Sequence, residues 1–332
     1  MEEIESQVDG VRYADALTLS AELPQARQAC NQASRIVAQA IAALRAGEAL
    51  DPARVREAVQ PVVDSVLRNA DAFFWIASLM RRDSYLCSHA VNVAAMAAAL
   101  GRHLGLPADT LARLATGGLL LDLGKAEFPD GLLDAPNRLD EETAVLMRGH
   151  VQAGLRLLDA AGIDDPIVRA MVQCHHERWN GSGYPDGLRA EAIPFAARIA
   201  AVIDSFDAMT SERAYQSPTS RHAALQLLYH GHDSLYQREV VERFLQCMSP
   251  YPTGSLVELN TGQVGIVVAQ NQARRLFPRV MLLLDAGKSL YSRFPVIDLM
   301  AYNDADPPQP VEIARVPEPG AYGLDPSALY LA

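Results

Sequence analysis

His175-His176-Glu177-Arg178-Trp179-Asn180-Gly181-Ser182-Gly183-Tyr184-Pro185-Asp186-Gly187-Leu188 closes an apolar helical run, Pro166 to Cys174, with two adjacent imidazoles and a loop too rich in glycine to be helix. Consecutive helical residues point about 100° apart. Both rings can therefore reach one cation only near a helix end, where the backbone is free to turn. The glycines that follow let main chain approach a ligand closely. A pair of surface histidines before an ordinary turn is the bland alternative, but the length of the whole string favours a site.

Outward from this stretch the apolar period predicts helices over 72–80, 89–104, 108–121, 141–161, 166–176, 195–209, 221–229 and 237–247, with no alternating strand pattern among them. The expected fold is mainly α, a helical bundle spanning 71–250. Residues 1–70 read as an N-terminal helical segment that covers this bundle. Asp51-Pro52 starts a helix there, with a side-chain acceptor at the cap and proline at the first helical position. After Pro250-Tyr251-Pro252 the texture changes to strand, turn, strand, with Asn260-Thr261-Gly262 and Asp285-Ala286-Gly287 as turns. A small β module over 251–303, barrel-like in form, is expected. Residues 304–332 are rich in proline and read as an extended tail.

Composition limits the function classes. The 332 residues are 49% hydrophobic and 21% charged, enough for a large core in a globular protein. Cys30, Cys87, Cys174 and Cys247 form no CxxC pair, which disfavours a disulfide framework and fits a reducing cytoplasm. The acidic start, Met-Glu-Glu-Ile-Glu, lacks the blocks of a signal peptide, and the longest apolar runs fall short of the ~20 residues of a membrane span. A formal net charge of -11 with no long Lys/Arg run argues against a polynucleotide partner.

The string HHExxxGxGYPxGL resembles the signature of the HD-GYP family, a branch of the HD metal-dependent phosphohydrolases. The resemblance covers residues from about 72 to about 251 and implies an HD-type all-helical bundle. It also implies cyclic di-GMP as ligand, opened by a metal-activated hydroxide to pGpG and sometimes further to GMP. Further motifs follow in the family's order. Tyr85-Leu-Cys-Ser-His89 matches YTxxHS at its tyrosine and histidine, and Leu121-Asp122-Leu123-Gly124-Lys125 stands where the family has HDIGK. His150 ends Leu146-Met-Arg-Gly-His150, and Asp204 lies in a run similar to ARIxxVxDxxDAxTS that also holds Asp207.

The implied metal ligands are His89, Asp122, His150, His175, His176 and Asp204. Oxygen and imidazole donors of this kind suit Fe or Mn, and then Zn, over Ca or Mg. Asp122 and Lys125 are the implied catalytic pair, and Lys125, Arg213, Tyr184 and Asp130 the implied contacts to the dinucleotide. Leu121 departs from the pattern, since it replaces the histidine of the HD doublet and has no lone pair to give. One secure cation and one weak or absent are therefore expected. Ala214 and Gln216 also depart from the family's SxRPYR or SxRPYK, which puts one phosphate contact in doubt.

Two functions lead on this reading, with a metal site acting on another phosphoester as a third, since substrate choice lies in pocket shape. One is a degenerate metal-dependent phosphodiesterase that binds cyclic di-GMP and hydrolyses it slowly. The other is a receptor or protein-interaction scaffold without turnover, with partners docking on the N-terminal helices or the β module, and with a homodimer as the family's habit.

Overall fold

The computed structural model describes residues 4–79, 85–128, 141–211, 218–271 and 273–324. Two long helices, α1 (Leu19–Arg45) and α2 (Pro52–Leu79), form a hairpin at the N-terminus. Thr18 caps α1 by accepting from Ala21 N, and Asp51 caps α2 by accepting from Ala53 N at 2.8 Å. Asn69 breaks α2 with an extended backbone (φ -166°, ψ 105°). Its side-chain oxygen accepts from Ala72 N at 3.1 Å, so the chain restarts as a newly capped helix, while its amide donates to Leu17 O at 3.1 Å. The start predicted at 72 is this restart. The hairpin is locked by Glu22, fully buried, which accepts from Ser65 Oγ at 2.7 Å and from Arg68 Nε at 2.7 Å.

The bundle continues with α3 (Tyr85–His103), α4 (Ala108–Leu120), α5 (Glu141–Arg148), α6 (His150–Ala160), α7 (Pro166–Cys174), α8 (Phe195–Thr210), α9 (Arg221–His230) and α10 (Arg238–Met248). One apolar core runs through it, joining Ala33 and Val62 of the hairpin to Leu100, Leu114, Ile199 and Phe244. The single helix predicted over 141–161 is instead two, broken at Gly149. The Gly149 N–H bonds Leu146 O at 2.9 Å, an i→i−3 contact that tightens the turn. Glycine, the weakest helix former after proline, does little to hold the helix against that local closure. Asp165 caps α7 through Ile167 N at 2.8 Å with Pro166 at the first helical position, and α7 ends at Cys174, leaving His175 as its C-cap.

After the bundle come β1 (Leu256–Leu259), β2 (Val264–Ala269), β3 (Arg279–Leu284), β4 (Val296–Asp298), a short α11 (Leu299–Asp304) and β5 (Ile313–Arg315). They form a five-stranded antiparallel sheet in the order β4-β3-β2-β1-β5. The barrel-like expectation is corrected here: β4 and β5 are the two edges and do not pair with each other among the described residues. The proline-rich stretch is drawn into the sheet, because Ile313 pairs with Leu259 and Arg315 with Glu258. β2 is buried on both faces, with Trp75 and Leu79 of α2 packed against Val264, Ile266 and Val268 on one side.

Candidate metal centre

Asp122 sits at the turn between α4 and a 3-10 turn (Leu123–Glu127), and side chains from four other elements converge on it. Its carboxylate is buried and its two oxygens face different partners. Oδ1 lies 3.3 Å from His150 Nε2 and 3.7 Å from His175 Nε2. Oδ2 lies 3.3 Å from His89 Nε2 and is ion-paired to Lys125 Nζ. His89 Nε2 is also 3.2 Å from Asp204 Oδ1. Two donor sets result, each with its ligand atoms within 4.8 Å of one another: Asp122, His150, His175 and His176, and His89, Asp122 and Asp204.

Local structure explains the convergence. The 3-10 turn after Asp122 packs on α6 so closely that a Cβ on Gly124 would stand 2.1 Å from His150 O. Any side chain there would push His150 away from Asp122. His89 lies one turn into α3 with Tyr85 stacked on it at 5.5 Å between centroids, and Asp204 lies in the second half of α8. The loop after the histidine pair is folded back on its own start, since Asp186 N donates to Glu177 Oε1 at 2.8 Å. Gly183 allows this, because a Cβ there would stand 2.5 Å from His176 O and Glu177 Cα. The loop thereby lays the Tyr184 ring on His176 at 4.6 Å.

Hydrogen bonds on the outer side of each ring set its inner side. His150 Nδ1 donates to Met147 O at 2.6 Å, His175 Nδ1 to Met171 O at 3.0 Å, and His89 Nδ1 to the Asp207 carboxylate at 2.8 Å. Each acceptor can only accept, so each Nδ1 carries the proton and each Nε2 points inward. The inner nitrogens of His150 and His175 are 3.3 Å apart. Where neither nitrogen carries a proton, their lone pairs aim at one point, which is unfavourable unless a cation occupies it. His89 Nε2 and Asp122 Oδ1 are buried without a hydrogen-bond partner among the described residues. Buried polar atoms left in that state cost stability, and these two face the same centre. The donor set thus fits a divalent cation.

The charge balance differs between the sets. Burial disfavours a charged His150 and lowers its pKa to about 4. Burial and the neighbouring His175 likewise lower His176 well below the imidazole range. At His89 burial again opposes charge, but the Tyr85 ring and the nearby carboxylates of Asp122, Asp204 and Asp207 outweigh it and hold the ring well above its ordinary range. Burial also works against ionised Asp122, yet the Lys125 charge and the surrounding histidines keep its carboxyl well below the usual range.

The structure therefore brings His89, Asp122, Lys125, His150, His175, His176, Tyr184 and Asp204 together. Asp130 and Arg213 lie outside the described residues, as do Ala214 and Gln216. Leu121 is fully buried and belongs to the apolar core. Two further residues of the quoted motifs reach the centre, Asp207 and Arg148. Asp207, one turn after Asp204, orients His89 and is itself held by Asn92 Nδ2 at 2.9 Å and Ser211 Oγ at 3.1 Å. Arg148 places its guanidinium 5.4 Å from the Tyr184 ring centre, a cation at the mouth of the cluster. The i, i+3 spacing of the two aspartates was the available signal for the first; nothing local marks the second.

The family model for the HD domain matches residues 75–240, and one for a KOW domain associated with the HD domain matches 256–305. A cyclic di-GMP phosphodiesterase of Pseudomonas aeruginosa is 34% identical over 286 residues, covering 85% of this chain and 68% of that protein. A cyclic di-GMP phosphodiesterase of Thermotoga maritima is 34% identical over 50% of this chain and 45% of its own length. The cyclic di-GMP phosphodiesterase response regulator RpfG of Xanthomonas campestris is 36% identical over 50% of this chain and 44% of its own length. Among solved structures, an HDG"Y"P protein from Bdellovibrio bacteriovorus superposes with a TM-score of 0.55 at 18% identity, covering 73% of this chain and 76% of that one. At that identity the likeness speaks for the fold. No helix of the described residues is long and apolar enough to cross a membrane.

Proposed function

Since the chain belongs to the HD-GYP family, a branch of the HD metal-dependent phosphohydrolases, we propose that it binds cyclic di-GMP at the Asp122 cluster and hydrolyses it slowly to pGpG. The observation that carries this reading is the pair of buried, unpartnered atoms, His89 Nε2 and Asp122 Oδ1, facing one centre. His150, His175, His176 and Asp122 Oδ1 would hold one cation, and His89, Asp204 and Asp122 Oδ2 a second, weaker one. Fe or Mn suits this mixture of imidazole and carboxylate. When bound, such an ion supplies a hydroxide nucleophile at neutral pH and positive charge at the scissile phosphate.

The chain's own groups then bind and orient. Lys125, tied to Asp122, supplies a fixed positive charge beside the phosphate. Tyr184 offers a ring face for a base, and Arg148 a guanidinium fork for a phosphate oxygen. Asp207 keeps His89 in the tautomer with Nε2 facing inward, a role that typically changes metal affinity or activity by 10–100-fold. Asp130 and Arg213 join the proposal on their motifs alone.

A second reading, binding without turnover, is favoured by Leu121. Its side chain packs in the core and leaves the second set with three donors. Anaerobic incubation with cyclic di-GMP and Mn or Fe, following both binding and pGpG formation, separates the two. Product formation that a chelator abolishes supports the enzyme, and binding with no product selects the receptor. Absence of both would remove the dinucleotide from the account.

A further inference from the structure

A cavity of about 200 Å³ lies between α1, the connector at residues 46–51, the first turn of α2, and the end of α4 with the 3-10 turn that follows it. Its room comes from alanines. Ala40, Ala43 and Ala49 line it where longer side chains would have filled it, and Leu120 and Leu123 form another part of the wall. Those two leucines bracket Leu121 and Asp122 in the chain, so the cavity lies against the turn that carries the shared carboxylate.

Size and lining decide what fits. The wall is chiefly apolar, and water is held poorly where it finds fewer than about two polar partners; an apolar cavity of roughly 150 Å³ stays dry and takes benzene. The volume is below the ~300 Å³ at which sites for larger ligands begin. One ring with a short chain fills it.

The rim adds a charge preference. The Arg54 guanidinium is already matched, since it donates to Gln39 Oε1 at 2.8 Å and pairs with Glu57, which is not part of the lining. Asp51 Oδ1 is engaged in the cap of α2. Glu48, also in the lining, is exposed and has no side-chain hydrogen bond or ion pair among the described residues. With Arg54 neutralised by Glu57, the rim is left acidic.

We propose that this cavity under the N-terminal hairpin is a second ligand site, taking a small aromatic amine. The ring is buried among the alanines and leucines, and the ammonium stays at the rim beside Glu48. No residue of the metal cluster takes part, so the site stands whether or not the dinucleotide reading does.

Titration calorimetry on the full chain, with 2-phenylethylamine, phenylacetate and ethylamine as probes, tests this. Phenylethylamine should bind. Ethylamine, a head without the body, should bind more than ten-fold more weakly, because burial of the ring carries most of the affinity. Phenylacetate, with the opposite charge, should be weaker than the amine by about five-fold, and Glu48→Gln should weaken the amine by about two- to five-fold, the modest effect of an exposed charge. Ala40→Leu and Ala43→Leu, one turn apart on α1, should each abolish binding while the unfolding temperature stays level or rises, since each fills empty space. A fall in unfolding temperature in both variants would show that the space is not empty and overturn the proposal. So would no heat with phenylethylamine, binding that survives both leucine variants, or phenylacetate binding as tightly as the amine.

Discussion

The two oxygens of Asp122 serve halves of one centre that are built differently. On the Oδ1 side stand three imidazoles from the end of α7 and the start of α6, two of them with pKa values pushed down by burial. On the Oδ2 side stand one imidazole and one further carboxylate, with Lys125 already paired to the shared oxygen and leucine where a second imidazole is expected. In the first half burial disfavours a proton on His150 and on His176. The second offers negative charge that a proton on His89 and an ammonium on Lys125 already neutralise in part. Equal burial thus yields unequal sites, because the donors differ in what occupies them before any cation arrives.

The largest effect is expected from Asp122→Asn, which removes the charge both halves share. Metal content should fall to near zero by elemental analysis, and hydrolysis of cyclic di-GMP should drop by at least about 100-fold. Retention of one tight cation would show that the halves do not depend on the shared carboxylate.

Next, His175→Ala and Asp204→Asn should separate the halves. The first should abolish the tightly held ion. The second should leave close to one ion per chain and lower only what binds at higher concentration. Equal losses would break the comparison.

Leu121→His should raise metal content above one and increase hydrolysis by roughly 10–100-fold, the range attached to one shell contact. It should also cost about 1–3 kcal/mol in urea unfolding of the metal-free protein, because a polar ring enters a site filled by a buried leucine. An unchanged metal count would make the position irrelevant to the second half.

The smallest effect is a difference in pH dependence. His150, with a folded pKa of about 4 against 6.5 for the free side chain, stays neutral while the unfolded chain gains a proton. Its contribution therefore falls as pH drops from 6.5 towards 4. His89 has its pKa raised, so its contribution is complete below 6.5 and is lost as pH rises through the folded value. Metal must displace that proton at His89 and none at His150. Binding isotherms from about pH 5 to about pH 8 should show the weak half gaining affinity with pH more steeply than the tight half; parallel slopes would contradict the assignment.

Much of this is legible in the sequence where the determinant is local. The α7 run with Asp165-Pro166 ahead of it and two histidines behind is a cap, a period and a stop, all within one window. The HHE string and the Asp204 run name four of the eight residues that meet at the centre, His175, His176, Tyr184 and Asp204. What escapes is set by partners far along the chain. The break at Gly149 comes from a choice between two carbonyls that no apolar period encodes. The place of Arg148 over Tyr184 depends on how α5 and the glycine loop lie together, and the division of labour between the oxygens of Asp122 on four elements outside its own turn. Strand periodicity predicts a barrel-like module as readily as an open sheet, because it specifies pairing but not which strands are left at the edges.

The contact from Asp186 N to Glu177 Oε1 has a consequence for recognition. It holds the glycine loop shut on its own root before anything binds, so the aromatic face at Tyr184 is a finished platform. A flat ring arriving there gives up its own freedom but asks little further ordering of the protein, and more of the stacking energy is left to appear as affinity.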